Sequence, residues 1–413
     1  MDGDDVLTES RNTKKAVMIF LTIAALSGIG LGLSDSMLSN FFREAYGADA
    51  FQRGMIELPR EAPGIIVLFL VSALAFLGDV RLGMIAMALK IIGIFALGFF
   101  SPTFNVMLIF LFINSLGMHM FMPLYDSMGM SLAKEGGVGT MLGRLNGMRT
   151  AFSMVAAILV FVGFRVGFFS FATPVTLNFV IAGLLFCVIF ILLIRIRPLM
   201  KPSAPPKSRF VLKKRYTKYY LLAMIFGARK QVMYVFGPWV LIELLGFGPD
   251  LIALLIIGGA GIGIFFIPAV GRWVDKYGPA KVMIAEACIF LVIYIGYGII
   301  SAGLHSGQFV GVGIVFAIAV MFNIADRTTM HFGMTRTIYM RSIAAAPEDV
   351  TPTLATGMAL DHVLTIFAAM LCGFLWRQFG PQYVFVFAGM LSICCILIAR
   401  SIKKEAVRAS EAQ

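Results

Sequence analysis

Residues 249–302 read PDLIALLIIGGAGIGIFFIPAVGRWVDKYGPAKVMIAEACIFLVIYIGYGIISA. Two apolar runs, Pro249–Val274 and Pro279–Ala302, flank a single polar turn, GRWVDKYGPAK, at 271–281. Each run exceeds the ~20 apolar residues that an α-helix needs to cross the hydrocarbon of a bilayer. The stretch therefore reads as two membrane-spanning helices joined by a tight turn. Gly278 permits the turn, because a residue without Cβ adopts backbone angles that others resist. Asp275 can pair with basic groups or meet the positive N-terminus of a neighbouring helix.

The rest of the chain repeats this pattern. Of 413 residues, 59% are hydrophobic and only 14% are charged, against about 25% charged in an ordinary soluble domain. The apolar content suffices for about twelve spans. A water-soluble domain, a disordered chain and a disulfide-stapled secreted scaffold are excluded. Hydropathy places spans at Ala16–Phe42, Phe51–Leu77, Leu82–Phe100, Phe104–Leu132, Thr140–Phe164 and Pro174–Ile194. A second set follows at Tyr219–Leu245, Pro249–Val274, Pro279–Ala302, Gln308–Ile343, Pro352–Gln378 and Pro381–Ile402.

The net charge of +12 is explained by topology and needs no nucleic-acid partner. With the N-terminus inside, 22 of the 34 Lys and Arg residues fall on the cytoplasmic side, Lys134 among them, and four fall outside. Basic residues are retained in cytoplasmic loops, so both termini are expected inside. Asp2, Asp4 and Asp5 precede a first apolar stretch too long for a signal peptide, so no cleavable signal is expected. The five cysteines lie in apolar stretches without metal or redox spacing and read as small hydrophobes. No N-x-S/T acceptor occurs, and the outer loops are short. A bacterial cytoplasmic membrane is the expected location.

Residues 195–218 form the one long polar connection, RIRPLMKPSAPPKSRFVLKKRYTK, with nine basic residues, no acid and four prolines. It divides an N-terminal six-helix bundle (1–194) from a C-terminal one (219–413). The halves also echo each other. LGDVRLG around Asp79 and GRWVDKYGPAK around Asp275 are offset by 196, and Gly147-Met148 matches Gly357-Met358 at an offset of 210. Such internal repeats are a common transporter plan.

Gly271, Asp275, Lys276, Gly278 and Lys281 resemble the signature loop of the major facilitator superfamily: a Gly, an Asp four later, a basic residue, a Gly and a closing basic residue. The first copy departs from that pattern. Its Arg81 and Gly83 each come one place late after Asp79, and Ala75 replaces the leading Gly. The resemblance implies an all-α membrane protein of twelve transmembrane helices in two pseudo-symmetric bundles. These would rock around a central cavity lined by the first, second, fourth and fifth helix of each half. The Gly-Pro-rich fifth-span motif of proton-driven drug antiporters is missing from AFSMVAAILVFVGF (151–164).

Charges within spans cost free energy unless paired or hydrated, so each is a functional candidate. Arg229-Lys230 lies 11 to 12 residues beyond Lys218, near the bilayer midplane. It reads either as an anion site, with Arg229 gripping a carboxylate bidentately, or as a structural pair neutralised by Asp361 and Asp326. Arg149, Arg327 and Asp326 join the substrate-binding candidates. Asp361-His362 places a carboxylate beside an imidazole that titrates near neutrality, which suits proton coupling. Glu57, Arg60 and Glu61 share a helical face next to Pro59 and Pro63, as a gate or coupling site would. Asp35, a possible partner of Arg60, and Asp126 are further proton carriers. Arg60, Asp79, Arg81 and Gly83 are gate candidates beside the signature loop.

No nucleotide-binding loop, metal-ligand spacing or nucleophile elbow occurs, so neither an enzyme, a metal nor a cofactor is expected. The reading is a monomeric secondary transporter of a small organic anion or zwitterion, coupled to an ion, H+ in preference to Na+. The alternatives are an efflux antiporter for lipophilic or cationic compounds, with Asp35, Asp126 and Asp361 as acceptors, a non-transporting receptor or scaffold, and a lipid-translocating protein.

Overall fold

The computed structural model describes residues 3–133, 137–171, 174–200, 212–310, 313–346 and 349–411. Lys134 and the linker segment 201–211 lie outside the described residues. Every regular element is helical among the described residues. Among the described residues, nine segments are long and apolar enough to cross a membrane: Asn12–Tyr46, Asp79–Phe99, Phe104–Ser131, Thr140–Arg165, Leu177–Leu199, Pro249–Tyr277, Pro279–His305, Pro352–Phe379 and Gln382–Lys403.

Three further expected spans are not among these nine, each for a local reason. The expected second span divides into α3 (Ala50–Met55) and the 17-residue α4 (Glu57–Ala73). Pro59 and Pro63 each remove a helix donor there. The expected seventh span is the 27-residue helix α9 (Thr217–Glu243), whose Arg229 and Lys230 dilute its hydropathy. The expected tenth span breaks at a 3-10 turn, Met330–Gly333, into α12 (Ile314–Thr329) and α13 (Met334–Ile343).

The chain divides into two compact units, Met1–Tyr46 with Pro63–Lys207, and Gly47–Ala62 with Ser208–Gln413. The division falls within α4. In the first unit, α1 (Gly3–Asp35) packs on α7 (Val138–Arg165), and α5 (Asp79–Phe99) packs on α6 (Phe104–Ser131) and α8 (Leu177–Ile196). Glycines bring these backbones together. A Cβ on Gly28 would meet the Arg149 carbonyl oxygen at 2.3 Å, and one on Gly93 would meet the Asn114 backbone nitrogen at 2.4 Å. In the second unit, α9 packs on α14 (Val350–Phe379) and α11 (Pro279–His305) on α15 (Gln382–Glu411), while α10 (Pro249–Tyr277) packs on α12. First-with-fifth and third-with-sixth pairing is therefore repeated in each unit.

The repeat is also written in the turns. Gly78 has φ 78° and ψ 157°, Gly278 has φ 79° and ψ 156°, and each caps the helix that follows. Both are left-handed conformations that favour glycine. The structural offset is 200, so the alignment of Asp79 with Asp275 at 196 is out of register. Asp79 is the first residue of α5, whereas Asp275 lies in the last turn of α10.

Candidate functional site

Arg229 is fully buried, with its guanidinium 2.8 Å from the Glu286 carboxylate. Arg336 of α13 reaches the same carboxylate, with Nη2 2.9 Å from Oε1 and 3.0 Å from Oε2. Two aromatic faces take up the excess positive charge. Phe290 lies 4.6 Å from Arg229, and Phe226 lies 3.9 Å from Arg336. Such contacts attract a cation to the ring quadrupole. Arg229 thus belongs to a buried, ion-paired node of α9, α11 and α13. Its counter-ion is Glu286. Asp326 acts on Arg229 only electrostatically, without an ion pair.

Lys230, the next residue, emerges on another face of α9. Its side chain is 40% exposed, and its Nζ stands 3.6 Å from Asp361 of α14. Asp361 also accepts from the Thr365 hydroxyl at 3.1 Å. Its carboxylate occupies the space beside Gly227, where an added Cβ would lie 1.1 Å from Oδ1.

A second network surrounds Glu57, which is fully buried at the start of α4. It accepts from Arg53 at 2.5 Å and from Arg60 at 2.6 Å, and Gln231 of α9 donates to it as well. Arg60 also pairs with Glu61 at 2.6 Å and stacks 4.9 Å from the Tyr234 ring centre. Glu61 in turn lies 2.9 Å from Nδ1 of His362. The helix break thus gathers Glu57, Arg60, Glu61 and His362 into one polar chain. It ends one residue from Asp361.

Asp326 is buried, and its Oδ1 has no hydrogen-bond partner among the described residues. Its neighbour Arg327 donates instead to Asn323 at 3.0 Å. In the N-terminal unit, Asp79 accepts from Ser127 of α6 at 2.5 Å. Asp35 accepts from Ser34 at 3.0 Å. Arg149 donates to Asn146 at 3.1 Å, with its guanidinium 5.6 Å from the Tyr125 ring centre. Asp126 is exposed. Arg81, Asp275, Lys276 and Lys281 are exposed, Gly83 is buried, and Gly271 and Gly278 are partly exposed.

Residues 20–347 match the profile of the Major Facilitator Superfamily. The chain belongs to that superfamily. This membership makes it a multi-pass membrane transporter. No curated protein matches its sequence. Among solved structures it is similar to the nucleoside transporter NupG, with TM-score 0.71, 13% identity, and 94% of this chain and 99% of that one covered. It is similar to the POT family transporter PepTSo at TM-score 0.70 and 13% identity, covering 97% and 99%. It is also similar to a D-xylose-proton symporter at TM-score 0.65 and 15% identity, covering 93% and 96%. At such identities the likeness is one of fold.

Several partners were not singled out from sequence. Glu286 was visible as a lone acid in the ninth span, and a lone buried acid requires a cation. Which cation depends on the faces that α9, α11 and α13 present to one another. Gln231 and Ser127 carry no sequence signal beyond being polar within apolar helices.

Proposed function

We propose that this superfamily member is a proton-coupled secondary transporter of a small organic anion or zwitterion, working by alternating access. The observation that carries the reading is the loose ion pair of Lys230 and Asp361, 3.6 Å apart and partly exposed, one residue from the His362–Glu61 pair. An anion arriving at Lys230 competes with Asp361 for the ammonium, and a zwitterion can engage both partners. The displaced carboxylate is then free to act as the acceptor of the coupled proton. His362 and Glu61, in contact with each other, offer the path by which that proton arrives. Arg149 and Arg327 are secondary contacts for the substrate. Glu57, Asp35 and Asp126 are further carriers, and the turns around Asp79 and Asp275 act as gates.

The same reading takes 1–194 and 219–413 as two six-helix bundles joined by the basic linker 195–218. It places the protein in a bacterial cytoplasmic membrane as a monomer, with both termini inside, an orientation that rests on the distribution of Lys and Arg.

The test is uptake of radiolabelled mono- and dicarboxylates into proteoliposomes with an imposed pH gradient. Accumulation should collapse with a protonophore. Lys230→Met should lose it with and without the gradient. Glu61→Gln and His362→Gln should keep substrate exchange yet lose gradient-driven accumulation. Accumulation indifferent to the pH gradient would contradict proton coupling, and normal uptake by Lys230→Met would contradict the site.

A further inference from the structure

Five helices of the N-terminal unit converge on a small cavity of about 30 Å³. It is lined by Ser27 and Leu31 of α1, Met87 and Lys90 of α5, Met118, Phe121, Met122 and Tyr125 of α6, Arg149 of α7 and Phe186 of α8. Its volume is roughly two to three times what one water requires.

Several residues that line it carry polar groups with few partners. Lys90 is only 3% exposed, and it makes no hydrogen bond or ion pair among the described residues. Its ammonium rests 4.5 Å from the ring centre of Phe186. Asp35 on α1 is the acid that acts on it electrostatically, but at a distance beyond an ion pair. The hydroxyls of Ser27 and Tyr125 are both buried without a hydrogen-bond partner among the described residues. Arg149, partly exposed, stands at the same cavity with its guanidinium over the Tyr125 ring, and Asp126 is the acid that acts on Arg149's surroundings from α6. A buried ammonium without an ion pair and two buried hydroxyls without a hydrogen-bond partner among the described residues, all on residues that line one space, are costly for a fold to maintain. All four groups can donate hydrogen bonds, and the two cations can donate only.

We infer that this cavity is an anion-binding site that takes the carboxylate end of a small organic molecule: Lys90 supplies the charge, Ser27 and Tyr125 donate from its walls, and Arg149 closes on it from the open side. The inference rests on the anion reading of the transported substrate and deepens it, because it assigns a binding group in the third span that spacing alone left without a role. The apolar residues Leu31, Met118, Phe121 and Met122 beside it fit an organic body in preference to a bare inorganic ion.

The experiment is thermal unfolding of the purified full chain in detergent, titrated with acetate, lactate, succinate and benzoate at matched ionic strength. Chloride and sulfate serve as inorganic controls, and a panel of primary amines runs alongside. Wild type should be stabilised by at least one carboxylate. Lys90→Met should melt no lower than wild type without ligand, since it removes a buried charge that has no ion pair, and it should weaken carboxylate binding about 10- to 100-fold, the range of a lost charged hydrogen bond. Ser27→Ala and Tyr125→Phe should keep the ligand-free melting temperature and weaken binding by a smaller factor, and Lys90→Arg should restore part of it.

Unchanged binding by Lys90→Met overturns the site while leaving the transporter reading intact. A lower melting temperature in Lys90→Met with the carboxylate response preserved also overturns it, and assigns Lys90 to a structural role with Asp35. Stabilisation of wild type by sulfate and the carboxylates alike makes it a general anion site and overturns the organic ligand. Stabilisation by amines and by no carboxylate overturns both the site and the anion reading of the substrate.

Discussion

Replacing Glu286 by Gln tests whether the Arg229 node is structure or substrate site. The carboxylate is fully buried and accepts three hydrogen bonds, one from Arg229 and two from Arg336. Glutamine keeps the volume and one carbonyl acceptor but loses the charge, which leaves two buried guanidinium groups facing each other. Each hydrogen bond to a charged group contributes about 1.5–3 kcal/mol. Breaking one side of a buried ion pair costs about 3–5 kcal/mol, because the remaining charge stays desolvated. Phe226 and Phe290 retain their cation–π contacts, so the lower half of that range is expected. Against a total stability of about 5–15 kcal/mol, the loss should show as reduced yield and a clearly lower unfolding midpoint. Thermal unfolding in detergent measures it. Adding Arg229→Met to the Gln variant should recover part of the loss, since one uncompensated cation is then removed. A Glu286→Gln protein that melts with wild type would refute the structural assignment. So would an Arg229→Met protein of normal stability that fails only in substrate affinity.

Other expectations follow from the same geometry. Gly227→Ala places a methyl group on the Asp361 carboxylate, so it should displace Asp361 from Lys230, cost about 1–3 kcal/mol by overpacking and abolish carboxylate uptake in proteoliposomes. Gly93→Ala forces α5 from α6 at Asn114 and should lower the unfolding midpoint by more than Gly143→Ala, where nothing stands within 4 Å of an added Cβ. At the start of α9, Lys213 lies 2.5 Å from Asp349, which also accepts from the Tyr216 hydroxyl at 2.7 Å. The hydrogen bond from Lys213, then that from Tyr216, holds the Asp349 carboxyl below its ordinary value, and the bond to Asp349 raises Lys213. The lowered carboxyl contributes stability above its unfolded pKa of about 3.9, and the raised ammonium contributes below its unfolded pKa of about 10.4. The difference in unfolding midpoint between wild type and Asp349→Asn should therefore stay flat from about pH 5 to 9. It should shrink as acid protonates Asp349 or alkali deprotonates Lys213, and a difference that varies steadily across neutral pH would contradict the contact.

What could be read from the sequence was what the chain encodes locally. The hairpin of 249–302 announces its helices by length and hydropathy, and the structure places them at Pro249–Tyr277 and Pro279–His305. The sharing of one helical face by Glu57, Arg60 and Glu61 follows from three- and four-residue spacing, and the side chains do meet. Pairings across helices were not legible. Glu61 and His362 are 301 residues apart, and nothing in either segment says which faces of α4 and α14 adjoin. Arg229 shows the same limit more sharply, because its partner was sought on the tenth and eleventh spans and stands on the ninth. The repeat was visible but misregistered, since matching Asp79 to Asp275 favoured a charged residue over the glycine that the turn requires. In the sequence Lys90 shows only as a single charge within the third apolar stretch. Only the structure shows that it lines a cavity together with Ser27 and Tyr125, whose buried hydroxyls have no hydrogen-bond partner among the described residues.

The central claim, proton-coupled movement of an organic anion, is tested most directly by following lumenal pH. Proteoliposomes loaded with a pH-sensitive dye would be challenged with carboxylates and amines, against protein-free vesicles. The account predicts lumenal acidification on addition of particular carboxylates, absent from protein-free vesicles and from Lys230→Met. Lumenal alkalinisation on addition of amines, absent from the same controls, would contradict it and make the protein a cation–proton antiporter.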